Sequence, residues 1–219
     1  MITIDGPVGA GKSTVARRLA ERLGYELIPT GSMYRALALS VTRAGIALGD
    51  VETLRRHLAP VVVTVERGRI RLDGIDVTDQ LQAPAIGQAT SVLSALAVVR
   101  DKVTPWQRQE AEPGGVVLEG RDTGTVVCPD AEVKFFLTAS PESRARRRRA
   151  ELAAQGLTVT LEDVLEEVRT RDRQDSTRAL APLRPAPDAV ELDTTELSAD
   201  EVVERMVRVV EERRCCTPR

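Results

Sequence analysis

The sequence predicts an α/β protein with a parallel sheet at its centre, and three observations predict it. The chain opens on a short apolar, β-branched run, Ile2-Thr3-Ile4-Asp5, which passes through a glycine-rich turn into a helix-patterned segment. A run of this length and composition suits a strand buried on both faces. Similar apolar runs return at 116–119 and 133–137 with helix signals beside them, and strands alternating with helices build covered parallel sheets. Residues 61–81 follow a different rule. Three strand-like runs lie there only a turn apart, which predicts a small antiparallel insert.

Taken in order, Val15, Leu19 and Leu23 recur at four-residue spacing and predict a first helix, with Gly24 to stop it. Leu27 and Ile28 predict a second short strand before Thr30-Gly31-Ser32, and a helix is expected over about 33–44. The insert consists of runs at 61–65, 69–72 and 76–78, with Arg67-Gly68 and Asp73-Gly74 as hairpin turns. A helical stretch over about 84–110 is expected to break near Pro105, since proline removes a helix hydrogen bond and crowds the preceding turn. Ser140-Pro141-Glu142 sets a serine N-cap before a first-turn proline. Thr160 with Asp163 and Ser198 with Glu201 have capping-box spacing, and the last helix carries Val202, Val203, Met206, Val207 and Val210 on one stripe.

The 219 residues fit one core domain with insertions better than two independent domains. Charged residues make up 29% of the chain, yet the net charge is only −2, which argues against general nucleic-acid or anionic-membrane binding. The first residues have no basic n-region and no long apolar stretch, so no secretory leader is expected, and no run approaches the roughly 20 apolar residues of a membrane span. Cys128, Cys215 and Cys216 have neither metal-ligand nor disulfide-framework spacing and read as reduced thiols. A cytoplasmic protein, acting as a monomer on small molecules, is the expectation.

The strongest chemical signal is Gly6-Pro7-Val8-Gly9-Ala10-Gly11-Lys12-Ser13, followed by Thr14. It matches the phosphate-binding loop G-x-x-x-x-G-K-[ST], with a strand before it and a helix after it. The glycines let backbone N–H groups fold around phosphate oxygens at a positive helix N-terminus. Lys12 can then reach the β- and γ-phosphates, and Ser13 can hold Mg²⁺. The loop predicts nucleotide-phosphate binding and leaves the acceptor open.

Candidates for the acceptor site are mostly arginines, which grip phosphate bidentately and stay charged. Arg35 follows Tyr34 near a helix start, and Arg121 and Asp122 follow a strand end, where α/β sheets place ligands. Arg171, Asp175 and Arg178 lie at helical spacings of four and three; spacing alone favours an ion-pair ladder worth ~0.3–0.5 kcal/mol per pair. Arg144, Arg146, Arg147, Arg148 and Arg149 form the densest basic run. Such a run usually marks a solvated face, and no aromatic is interleaved for base stacking. His57, the one histidine, reads as a helix-surface residue, so no histidine acid–base chemistry is expected.

Thr30-Gly31-Ser32-Met33-Tyr34-Arg35, Glu119-Gly120-Arg121-Asp122-Thr123-Gly124-Thr125 and Arg171-Asp172-Arg173-Gln174-Asp175 share the order and spacing of the bacterial cytidylate kinases, and Ala181-Pro182-Leu183 and Leu192-Asp193-Thr194-Thr195 extend the likeness. The chain therefore resembles a P-loop nucleoside-monophosphate kinase of that family over nearly its whole length. The resemblance implies a P-loop NTPase three-layer parallel-sheet core (about 1–34, 112–140 and 179–219). It adds a substrate-side insertion (about 35–111) and an arginine-rich helical lid (about 141–178). It implies Mg²⁺ with ATP as the donor and CMP or dCMP as the acceptor. Arg35 and Arg121 would hold the acceptor phosphate, with Thr30 and Tyr34 beside them. Ser91, Arg100 and Asp122 would read cytosine, whose exocyclic amine suits a carboxylate and whose N3 and O2 suit donors. Arg171 and Asp175 would hold the sugar. Lys12, Arg178 and Arg148 would act on the transferring group, with Arg147 next along the lid and the other arginines of the run on the surface.

Two positions vary from the common pattern: serine follows Lys12 where glycine can stand, and Thr30 stands where serine is common, which keeps the hydroxyl. Rival readings are a P-loop kinase for UMP, AMP or shikimate, a nucleotide switch and a nucleic-acid ATPase. The switch needs an N-K-x-D base reader, and the chain has no asparagine. The net charge opposes the ATPase.

Overall fold

In a computed structural model of the chain the described residues are 1–66 and 68–216. Arg67, half of the first predicted turn of the insert, lies outside them. Five strands form one parallel sheet: β1 (Ile2–Asp5), β2 (Glu26–Pro29), β6 (Val116–Gly120), β7 (Val133–Thr138) and β8 (Val190–Asp193), in the order β2-β6-β1-β7-β8. All four residues of β1 are buried, as its apolar run requires at the centre of a covered sheet. The edge strand β8 escapes the sequence reading because it is four residues long with Glu191 and Asp193 exposed.

Helix α1 (Lys12–Leu23) ends at Gly24, whose φ of +66° places it in the left-handed region. It packs with α8 (Ala199–Cys216) on one face of the sheet, around Ile4, Leu19, Phe135 and Met206. The other face carries α2 (Thr30–Arg43) and α5 (Ala97–Ala111), with Met33, Leu37, Val99 and Leu118 at the centre of that core. Between these two helices the chain inserts α3 (Val51–Leu58), an antiparallel sheet of β3 (Val63–Glu66), β4 (Arg69–Leu72) and β5 (Ile75–Asp76), and α4 (Pro84–Leu93). The Asp73-Gly74 hairpin turn forms with both φ values positive, +50° and +80°, the signature of a type I′ turn. Helices α6 (Pro141–Ala154) and α7 (Leu161–Thr177) make a hairpin with a small core of Ala145, Leu152, Val164 and Val168. The caps at Ser140, Thr160 and Ser198 form, their hydroxyls accepting from Ser143, Asp163 and Glu201 N–H.

Four expectations need correction. Helix α2 starts at Thr30 and takes in Gly31 and Ser32. The third strand of the insert stops at Asp76, because its carboxylate accepts from the Thr78 N–H (3.0 Å) and hydroxyl (2.8 Å) and turns the chain into a 3₁₀ turn, Thr78–Gln82. The helical stretch breaks at 94–96, and Pro105 sits inside α5. There the N–H groups of Ala95 and Leu96 reach back only three residues, and Arg100 donates to the freed Ser94 carbonyl at 3.3 Å. Around Pro105, burial of Val99, Val103 and Ala111 outweighs the one helix hydrogen bond that proline removes. His57, finally, is half-buried, with Nε2 2.9 Å from the Ser40 hydroxyl, and ties α3 to α2. Among the described residues no helix is long and apolar enough to cross a membrane.

Candidate active site

The phosphate loop runs from β1 to α1 on a backbone that only glycine fits. Gly6, Gly9 and Gly11 have φ values of +147°, +75° and +90°. A Cβ on Gly6 would stand 2.2 Å from the Leu137 carbonyl oxygen, and one on Gly9 2.9 Å from Arg144. No side chain caps α1 at Gly11, so its first N–H groups stay open to an anion. Val8, Gly9, Gly11, Lys12, Ser13 and Thr14 line a polar cleft, while Gly6, Pro7 and Ala10 form the loop behind it. Lys12 folds back and donates to the Pro7 carbonyl at 2.7 Å. Burial, and after it the charge of Arg121, pushes its ammonium down to about 7. The Ser13 hydroxyl lies 3.1 Å from both carboxylate oxygens of Glu119, at the end of β6.

The far wall of the cleft comes from α2, α4, α5 and the corner after β6. Thr30 donates its hydroxyl to the Glu119 carbonyl at 2.6 Å, which docks α2 on β6. Arg35 donates to the Leu81 carbonyl at 2.7 Å, and burial pushes its guanidinium down, with Arg148 the next cause. Buried Tyr34, whose phenol burial pushes up to about 12, lies under Arg100 with the guanidinium 5.9 Å from the ring centre. Arg100 also pairs with the buried carboxylate of Asp122. The other Asp122 oxygen accepts from Arg178 at 3.5 Å. Ser91 donates to Gln174 of α7 at 3.2 Å.

Helix α7 closes the third side. Asp175, buried, accepts from Arg121 Nε at 2.9 Å and lies 4.0 Å from Arg178. Of the ladder that spacing alone favoured, the Asp175–Arg178 rung forms, at 4.0 Å, while the closer partner of Asp175 lies across the cleft at Arg121. Burial, then Arg121, pushes Arg171 down to about 10, and its Nε has no hydrogen-bond partner. Arg148 of α6 likewise keeps a buried Nε without a partner while its NH1 donates to Glu151 at 3.2 Å. The remaining predicted residues thus meet at one cleft, and they arrive there from seven elements or their ends.

Several residues the sequence reading passed over are also built into this region. Glu119 and Gln174 appear above. Arg144, expected on the surface, is 4% exposed; it donates to both oxygens of Asp172 at 2.9 and 2.6 Å, to Ala139 O at 2.9 Å and to Val8 O at 3.2 Å. Arg147, expected next to Arg148 at the transferring group, instead donates to the Thr194 hydroxyl at 3.0 Å, beside the phosphate loop. Asp5 accepts from the corner after Asp122, and burial pushes its carboxyl above the usual range against the pull of those donors. None of these has a short-range signal, since each is defined by a partner far along the chain.

Comparison with known proteins identifies the family. The sequence profile of the family described as cytidylate kinase matches residues 2–212. The cytidylate kinase of Geobacter sulfurreducens is 50% identical over 222 residues, covering 100% of this chain and 95% of its own. That of Geobacillus kaustophilus is 50% identical over 216 residues, covering 97% and 96%. A solved Thermus thermophilus structure, 22% identical, shares the fold with a TM-score of 0.51 over 99% of this chain and 97% of its own. The match runs from β1 into α8 and takes in every residue that lines the cleft, so the chain belongs to the cytidylate kinase family.

Proposed function

We propose that the protein transfers the γ-phosphoryl group of ATP to CMP or dCMP, giving ADP and CDP or dCDP. One observation carries this reading. Lys12, Arg35, Arg100, Arg121, Arg148, Arg171 and Arg178 line the cleft against four carboxylates, Glu119, Asp122, Glu151 and Asp175. A kinase whose acceptor is itself a phosphate must bring two anions together, and fixed positive charge offsets their repulsion.

In this reading the loop from Gly6 to Thr14 cradles the ATP phosphates and Lys12 reaches their outer oxygens. Arg35 and Arg121 grip the CMP phosphate, with Thr30 and Tyr34 supporting that wall. Arg100 and Ser91 donate to the cytosine ring acceptors, and the Asp122 carboxylate accepts from its amine. Arg171, with its unpartnered Nε, and Asp175 hold the sugar. An acceptor phosphate oxygen, already ionised, attacks the γ-phosphorus as the bond to the β–γ bridging oxygen breaks, leaving the electron pair on ADP. Lys12, Arg148 and Arg178 stabilise the charge that spreads over the transferring group. The α6–α7 hairpin acts as a lid that excludes water, which would otherwise accept the phosphoryl group.

Ser13 and Glu119 fit Mg²⁺. They offer two hard oxygen donors side by side, and no cluster of three or more His, Cys, Asp or Glu ligands exists among the described residues. Mg²⁺ is usually held by few protein ligands plus phosphates and water. The ion would neutralise β- and γ-phosphate charge there.

ADP release measured with CMP, dCMP, UMP, AMP and shikimate in turn tests the proposal. Turnover is expected with CMP or dCMP, at kcat/KM about 10² or more above UMP. Faster turnover with AMP or shikimate would replace the acceptor, and no turnover with any of the five would overturn the reading.

A further inference from the structure

Residues Thr123–Val127 form a single π-helical turn directly after Asp122: the Val127 N–H reaches the Asp122 carbonyl at 3.2 Å and the Cys128 N–H reaches the Thr123 carbonyl at 2.8 Å. A helical turn leaves its first N–H groups unpaired, and aspartate just before it is among the preferred side-chain caps. Asp122 holds that position and does not cap; its carboxylate points to Arg100 and Arg178 instead. The cap comes from another strand. Oδ1 of Asp5 accepts from the Thr123 N–H at 2.9 Å and its hydroxyl at 2.8 Å, and Oδ2 accepts from the Gly124 N–H at 2.8 Å. The backbone of Asp5 needs no help from this side chain, since it is held between Gly120 of β6 and Phe136 of β7.

We propose that Asp5 caps the turn in place of Asp122 and thereby frees the Asp122 carboxylate for base recognition, which makes Asp5 a specificity-positioning residue. The inference rests on the reading of the cleft as a cytosine site. The chemistry leaves few alternatives. Thr123 and Gly124 are both buried, so their N–H groups need an acceptor. A carboxylate presents acceptors to both at once; an asparagine amide sets an NH₂ against one of them. Without the Asp5 carboxylate, the acceptor nearest in the chain is that of Asp122 itself. Turning it to the cap position takes it away from Arg100.

The test compares kcat/KM for CMP and UMP, together with KM for ATP, in the wild type, Asp5→Asn, Asp122→Asn and Thr123→Val. Asp5→Asn should shrink the CMP preference by about tenfold or more, as Asp122→Asn does, while KM for ATP stays within about threefold. Loss of stability alone would not move that ratio. A folded Asp5→Asn with the wild-type preference overturns the inference, and so does an equal loss for both acceptors with an unchanged ratio. If Asp5→Asn does not fold, Thr123→Val decides, because it removes only the hydroxyl bond: a preference reduced severalfold supports the cap, and an unchanged one overturns it. A wild type without base preference overturns the cytosine reading and this inference with it; a wild type with preference, matched by the variants, overturns the inference alone.

Discussion

Arg144 of α6 grips Asp172 of α7 with both arms of its guanidinium, and the same side chain donates to Val8 of the phosphate loop. The α6–α7 hairpin and the glycine-rich loop therefore share one buried cation. Arg144→Met should destabilise the protein by about 3 kcal/mol, since it strands the Asp172 carboxylate and the Val8 carbonyl. Asp172 keeps 30% side-chain exposure, so the loss belongs at the low end for a buried pair. The double variant Arg144→Met/Asp172→Leu should recover part of it, because the unpaired charge is gone. Urea unfolding of the variants measures both; a double variant that loses the sum of the two single losses would show no coupling.

Gly9 rests on the same arginine. Its φ of +75° and the 2.9 Å approach of a Cβ to the Arg144 Cβ and carbonyl oxygen mean that Gly9→Ala must shift either the loop or α6. KM for ATP should rise about tenfold or more. Gly24, also left-handed at +66° but with nothing within 4 Å of a Cβ, is the control: Gly24→Ala should cost about 1–2 kcal/mol of stability and leave KM for ATP unchanged. Equal kinetic effects would mean that the loop tolerates displacement.

These two residues show where the sequence was legible and where it was not. The phosphate loop, the strand before it and the caps at Ser140, Thr160 and Ser198 are local patterns, complete within a few residues, and all form. The hairpin turn at Asp73-Gly74 is of the same kind. Arg144 looked like its neighbours in a basic run, yet it is buried while Arg146 and Arg149 are exposed. Its partner stands 28 residues away, and no pattern at helical spacing reports that. Asp5 is read locally as the end of a strand, but its side chain is bonded to Thr123, 118 residues on. Pro105 failed in the opposite direction, a strong local signal overruled by packing of the helix around it. The predicted site residues that meet in the cleft were legible through family resemblance; their pairing, above all Arg121 with Asp175, became visible only in three dimensions.

Lys12 gives a pH-dependent prediction. Its ammonium falls from the ordinary 10.5 to about 7 in the folded, ligand-free protein. Between those values the unfolded chain holds a proton that the folded chain lacks, so this residue makes stability rise with pH across that window. Below about 7 the lysine is charged in both states and the cost of burying it is fully present. Lys12→Met should remove that component from the difference between stability curves measured at pH 7 and pH 10. The phosphates of ATP restore the charge, so nucleotide binding near pH 8.5 should take up close to one proton in the wild type and none at this position in Lys12→Met. Calorimetry in two buffers of different ionisation enthalpy reads the uptake directly. Zero uptake by the wild type would show that Lys12 is already charged in the free protein.

The arginines of α6 give the sharpest kinetic contrast. Arg148 lines the cleft with a buried, unpartnered Nε, and its ion pair with Glu151, which is 58% exposed, is readily surrendered. If Arg148 belongs to a lid as proposed, it meets the transferring group after closure and its contact strengthens in the transition state. Arg148→Ala should therefore lower kcat by about 10² or more at saturating CMP, with a smaller rise in KM for ATP. Arg146 and Arg149 flank it on the same helix and face solvent, and their alanine variants should stay within about twofold at the same ionic strength. The measurement that decides is the spread of kcat within the run. Equal, mild losses in all three variants would make the run a diffuse electrostatic patch, and a critical Arg146 with a silent Arg148 would mean that closure rotates α6 and presents a different face.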